Sequence, residues 1–256
     1  MTVSFIHTLA RRALLALMLA GATSAHAAIS LNTTRVIFEG NNKEVGLVVR
    51  NGANPVLIQS WIESNTPGDK GEVPFAITPP LAKMQAESQQ LLRVLYAGGA
   101  SSMPSDRESV MWVNVQEVPQ QPDTANSLQF AIRQRIKLFF RPKGLPGTPA
   151  QAPVELRWSV DAVDGKPLLK VQNPSAFHVS TTGIDLGAGA GKQRVSDAVM
   201  IAPGETQSFA IKRDAGSSPT VSFTAINDFG GSDSYQARLG GVSPVQAAPA
   251  PQAGTN

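Results

Sequence analysis

The chain is expected to be all-β, folded as two β-sandwiches in series. Three observations point there. Helical periodicity is almost absent after the first 27 residues, and short alternating apolar–polar runs recur at strand length. A proline- and glycine-rich stretch then divides those runs into two sets, as two sandwiches joined by a connector require.

The first element reads as an export signal. Arg11 and Arg12 precede "ALLALMLAGA", and the small-residue sequence "AHA" follows at Ala25 to Ala27. Charge, apolar core and cleavage site in that order place a signal peptide over 1–27, with the mature chain starting near Ala28. The apolar run is shorter than the ~20 residues that span a bilayer, and no other segment qualifies.

Six strands are expected before residue 141: "ISLNTTRVIF", "EVGLVVRN", "VLIQSWIES", "SQQLLRVLY", "SVMWVNVQEV" and "LQFAIRQRIKLFF". Turn sequences such as "EGNNKE", "NGANP", "TPGDKGE" and "AGGASSMPSD" separate many of them. They assign a first domain to 28–141. "RPKGLPGTPAQAP" has no apolar period, so 142–153 reads as a linker. "VELRWSV", "PLLKVQN", "HVSTTGIDL", "QSFAIKRD", "TVSFTAIND" and "YQARLG" give a second domain over 154–241. The last stretch, 242–256, ends "VQAAPAPQAGTN" and has the composition of a flexible tail.

Composition narrows the function. The chain has 22 Lys+Arg against 19 Asp+Glu; loss of Arg11 and Arg12 with the signal leaves 20 against 19, so net charge gives no support for a nucleic-acid partner. Without cysteine, disulfides and thiol catalysis are excluded. His7 and His26 leave with the signal, so a triad or a zinc site would have only His178 to use. No G-x-S-x-G nucleophile elbow is present, and His178 reads as an ordinary strand or turn residue. "GAGAGKQ" lacks the first glycine of a phosphate-binding loop, at Leu186, and its hydroxyl, at Gln193; a hairpin loop is the better reading. Asp161 and Asp164 flank a turn at Gly165, the usual place for such carboxylates. No catalytic residue, metal or cofactor is expected.

One strand is anomalous. Leu128, Phe130, Ile132, Ile136, Leu138 and Phe140 share one parity, interrupted only by Gln134. Extended, the run from Leu128 to Phe140 would reach roughly 43 Å, against ~17–20 Å for a typical strand. The surplus stripe needs something to pack against. It could cross both sheets of its own sandwich, or it could serve another chain.

"NTTRVIFEG", "LIQSWIES", "ITPPLAKM", "LLRVLYA", "DRESVMWVNVQEVP", "LQFAIRQRIKLFFRP", "NPSAFHVS" and "INDFGG" together resemble the periplasmic chaperones of the chaperone–usher pilus pathway. The similarity extends to about Gly241, with the motifs in the family's order. It implies two immunoglobulin-like β-sandwich domains set at an angle, with a cleft between them. It also implies that Leu128, Phe130 and Ile132 belong to a donor strand lent to a pilus subunit that lacks one of its own. A borrowed strand would cover the subunit's open edge and its apolar groove together. Arg35 of "TRVIF" and Lys137 of "RIKLFF" match the pair that binds the subunit's C-terminal carboxylate. Charge-assisted bonds of that kind contribute roughly 1.5–3 kcal/mol each. Glu108, Arg141 and Asp228 match an interdomain ion network that sets the angle.

The implied function is to cap pilus subunits in the periplasm and deliver them to an outer-membrane usher, with release by exchange with an incoming subunit's strand. The sticky strand also offers the free protein a route to self-association. The short segment Gln120 to Asn126 resembles the short-loop members of the family, whereas Ala82 stands where a bulkier apolar residue is common. A two-domain surface adhesin or structural pilus component shares the sandwich class but need not contain the Arg35/Lys137 pair.

Overall fold

Alternation along the strands sets the architecture, because each run buries every second side chain between two sheets. The structure, a computed structural model, describes residues 29–66, 68, 73–98, 103–118, 130–212, 219–240 and 243–251. The expected export signal over 1–27, the segment Gln120 to Asn126 and Leu128 lie outside the described residues.

The first sandwich contains β1 (Ile29–Leu31), β2 (Arg35–Glu39), β3 (Glu44–Asn51), β4 (Val56–Ser64), β5 (Phe75–Thr78), β6 (Leu81–Met84), β7 (Gln89–Tyr96), β8 (Ser109–Val118) and β9 (Arg133–Arg141). One sheet has the order β1-β3-β7-β5 and the other β2-β9-β8-β4-β6. Leu47, Val49, Leu92 and Val94 from the first pack with Phe38, Val113, Val115 and Leu138 from the second, all fully buried. Phe38, Phe75, Tyr96 and Phe140 add an aromatic cluster with ring centroids 4.7–6.3 Å apart.

The stretch "ISLNTTRVIF", expected as one strand, is two. Ile29–Leu31 pairs antiparallel with β3, and Arg35–Glu39 pairs parallel with β9 in the opposite sheet. The break has a local cause. Asn32 Oδ1 accepts the Val48 N–H and the Thr33 hydroxyl donates to the Arg35 carbonyl, so short polar side chains replace the ladder between the halves. Strands β5 and β6 were not expected, because Pro79 and Pro80 cut their sequence into two four-residue pieces.

The second sandwich opens with a short helix α1 (Ala152–Glu155), followed by β10 (Arg157–Val163), β11 (Lys166–Gln172), β12 (Val179–Leu186), β13 (Gln193–Ile201), β14 (Thr206–Ala210), β15 (Thr220–Ile226), β16 (Ser232–Arg238), β17 (Val245–Gln246) and β18 (Ala248–Pro249). Its sheets run β14-β11-β10-β17 and β13-β12-β15-β16-β18 around Trp158, Leu169, Val171, Ile184, Leu186, Val221 and Phe223. Asp164 and Gly165, at φ 51° and 71°, make the two-residue hairpin between β10 and β11. "GAGAGKQ" closes the β12–β13 hairpin, and Lys192 Nζ meets Asp185 Oδ2 at 2.9 Å.

Two expectations need correction. The connecting stretch 142–153 is not a bare linker, since Leu145 and Ala152 pack into the second core. The segment 243–251 is not a free tail: β17 pairs with β10, β18 with β16, and Ala247 is buried. Its proline- and alanine-rich composition hid this, because two-residue strands leave no period to read.

Candidate functional site

Strand β9 joins the two halves of the site. Its even-numbered residues Ile136, Leu138 and Phe140 turn into the first core. Phe139 and Arg141, of odd number, line the cleft between the sandwiches, and Lys137 reaches across to the second one.

The pairing of β9 is incomplete. β8 accompanies it from Arg133 to Phe140, whereas β2 begins only at Lys137. Among the described residues, Arg133–Ile136 therefore have a ladder partner on one side alone. The Ile132 carbonyl accepts from Glu117 N–H at 3.0 Å, and the Arg141 carbonyl accepts from Gly40 N–H at 2.7 Å on the opposite side. Backbone groups alternate along a strand, so Arg133 and Arg135 present theirs to the open edge. Such an edge is a template for another strand.

Apolar side chains stand beside this edge. Phe130 is 73% exposed and Ile132 is 44% exposed. Both share the even parity of the buried residues that follow, so the stripe continues past its own sandwich. The regular strand is shorter than expected: β9 starts at Arg133, and residues 130–132 precede it without regular strand structure. Among the described residues, the Glu117–Ile132 bond is the last between β8 and this stretch.

Arg35 and Lys137 are direct neighbours in the parallel ladder of β2 and β9. Arg35 Nη1 donates to the Ile226 carbonyl at 3.1 Å and its guanidinium lies 5.5 Å from the Phe139 ring centroid. Its buried Nε has no hydrogen-bond partner. Lys137 Nζ donates to Ser180 Oγ at 3.3 Å and stands 5.9 Å from the Trp112 ring centroid. Among the described residues neither cation has a carboxylate within ion-pair distance. Burial, and then the positive charge of Arg35, push the Lys137 pKa down. Burial also lowers Arg35, against the opposing fields of Asp228 and Glu108. Two adjacent, partly desolvated cations without a counter-ion form a site for an anion.

Deeper in the cleft, Arg141 links the two sandwiches. Its Nε donates to Glu108 Oε2 at 2.7 Å, while Nη1 and Nη2 grip Asp228 Oδ2 and Oδ1, each at 2.7 Å. Glu39 adds a longer contact of 3.4 Å. Burial opposes the charge on Arg141, but the Asp228 bonds and the Glu108 carboxylate outweigh it and raise the guanidinium pKa. Glu108 Oε1 accepts the His178 backbone N–H at 2.8 Å and lies 3.0 Å from His178 Nδ1. The structure thus brings Glu108, Arg141 and Asp228 together and adds His178, whose partner is 70 residues away in sequence and left no local signal. Phe139 and Ser180 were also missed; one reads as spare apolar bulk beside the stripe, the other as an ordinary strand hydroxyl.

The cleft encloses about 220 Å³ and is lined by Arg35, Phe139, Arg141, His178, Ser180 and Asp228, among others. Lys137 is not among its lining residues but reaches its rim through Ser180, so the pair stands where the open β-edge meets the cleft, an arrangement that can hold a carboxylate. Among the described residues no group of three or more His, Cys, Asp or Glu side chains could hold a metal, and no helix is long and apolar enough to cross a membrane.

Known proteins share this two-sandwich fold. Residues 28–146 match the family model "Pili and flagellar-assembly chaperone, PapD N-terminal domain", and 151–237 match "Pili assembly chaperone PapD, C-terminal domain". The "Probable fimbrial chaperone YadV" of Escherichia coli K12 is 42% identical over 234 residues, covering 86% of this chain and 94% of the relative. A crystal structure of YadV chaperone superposes with a TM-score of 0.71 at 40% identity, over 83% of this chain and all of that one. The SafB chaperone in complex with the SafA pilin from Salmonella enterica gives a TM-score of 0.68 at 29% identity, over 85% and 99% of the two chains.

Proposed function

Because this chain belongs to the pilus-assembly chaperone family, which is not a family of enzymes, we propose that it captures pilus subunits by strand donation and holds each by its C-terminus. The observation that carries the reading is the continuity of three features on β9. Exposed Phe130 and Ile132 lead into the one-sided stretch Arg133–Ile136, which ends at the Arg35/Lys137 pair. A subunit strand laid along that edge would take main-chain bonds from Arg133 and Arg135 and side-chain contacts from Phe130 and Ile132. Its terminal carboxylate would then meet the two cations, which fix the register, because a one-residue slip would reverse every side chain.

Arg141, Glu108 and Asp228 act as the orienting device in this reading. They hold the second sandwich where Ser180 and Ile226 can bond Lys137 and Arg35. The reading extends to a periplasmic location, supported by the export pattern of 1–27, and to hand-over at an outer-membrane usher. Co-expression with candidate pilus subunits tests it. A subunit that aggregates or is degraded alone should co-purify at one-to-one stoichiometry with this chain. Recovery of stable, free subunit in its absence would contradict the reading.

A further inference from the structure

The segment 243–251 closes both sheets of the second sandwich on one side. Val245 and Gln246 pair with Trp158 and Arg157 at the β10 edge; Ala248 and Pro249 pair with Gln236 and Tyr235 at the β16 edge. Ala250 N–H adds a bond to the Ser234 carbonyl at 2.8 Å. Between the two short strands, Ala247 enters the core and is 8% exposed. The row Trp158–Phe223–Tyr235, with centroids 5.1 and 5.4 Å apart, runs through this core from β10 to β16, the two strands that the segment covers. The family model for this domain ends at residue 237, before the segment begins.

We infer that the second sandwich contains a peptide-binding groove of its own, between the edges of β10 and β16, which this chain fills in cis with Ser243–Pro251. The groove takes an extended peptide with a small residue at its centre, because an inward side chain larger than alanine would meet the core. Holding is light: each strand contributes two ladder residues, and Ala248, Pro249 and Gln246 remain solvent-facing. An element with so few buried contacts opens at low cost. The segment therefore exchanges with an equivalent peptide, while its presence denies both edges to other strands. This inference does not depend on how subunits are bound.

The test uses the full chain with a protease site introduced between Gly240 and Ser243. After cleavage the released fragment should still co-elute with the body. It should then exchange for a labelled peptide of Ser243–Pro251, saturably and at least tenfold more tightly than for the same peptide with Ala247→Glu. Loss of the fragment should red-shift the tryptophan emission through Trp158, and excess peptide should reverse the shift. If the body precipitates as the fragment leaves, protection by the Ser243–Pro251 peptide supports the groove, and precipitation that it does not slow overturns it. Equal binding of the two peptides, or fragment loss without any change in emission, overturns it too.

Discussion

Arg35 and Lys137 stand side by side in a parallel ladder, two positive charges on adjacent strands that each bond to the second sandwich, at Ile226 and Ser180. Like charges placed so are unfavourable for the free protein, and burial adds to the cost. On the proposed reading, a subunit's carboxylate offsets that cost. Lys137→Met and Arg35→Gln should each weaken subunit binding by about ten- to a hundredfold, as loss of one charge-assisted bond of ~1.5–3 kcal/mol implies. The melting temperature of the free protein should hold or rise. Calorimetric titration with a purified subunit, displaced from a weaker carrier, measures the first effect. Unchanged affinity in both variants would contradict the anchor.

The lowered Lys137 pKa gives a pH signature. Between its folded value and the ordinary 10.5, the unfolded chain keeps a proton that the folded chain has lost. Stability contributed at this site therefore rises with pH across that window. A bound carboxylate favours the charged amine, so subunit affinity should fall as pH rises through the same window. Urea titrations of wild type and Lys137→Met at several alkaline pH values isolate the difference. A difference that stays flat up to pH 10.5 would argue against a desolvated lysine.

Arg141→Met should be costly, because Glu108 is left buried beside its former partner. Breaking one side of a buried pair costs ~3–5 kcal/mol. At ~2–4 °C per kcal/mol, that lowers the melting temperature by about 10 °C. The double variant Arg141→Met/Glu108→Gln should recover part of the loss, since it removes the stranded charge and keeps an acceptor for His178. Strictly additive losses would mean that the two groups are not coupled. Scattering from Arg141→Met should also show a wider spread of interdomain geometry.

Phe130→Asp separates capture from folding. The side chain is 73% exposed, so its loss should change stability by less than about 0.5 kcal/mol. A charge in the subunit's apolar groove should nevertheless abolish co-purification. A large fall in melting temperature would instead place Phe130 in the protein's own core.

The sequence showed some of these features because their causes are local. The even-parity stripe from Phe130 to Phe140 was legible, since period two is how a strand divides its faces. Arg35, Lys137, Glu108, Arg141 and Asp228 could be nominated only through resemblance, because Glu108 and Asp228 lie 33 and 87 residues from the arginine they bind. Contacts made by topology leave no spacing to read. His178 was passed over for the same reason. The halves of "ISLNTTRVIF" kept strand character while Asn32 and Thr33 changed their sheet, a decision taken by hydrogen bonds to Val48 and Arg35. Strand β13 was missed because it is an edge strand whose "QRVSDAVMI" buries little beyond Ile201.

Backbone hydrogen exchange across β9, compared in the free and subunit-bound protein, addresses strand donation most directly. The amides of Arg133 and Arg135 face the unpaired edge and should exchange readily in the free state, then slow by at least a hundredfold in the complex. Those of Phe139 and Arg141, already beside β2, should change little. Rapid exchange at Arg133 and Arg135 in a stable one-to-one complex would mean that the subunit binds elsewhere, and that this edge is not what the chain lends.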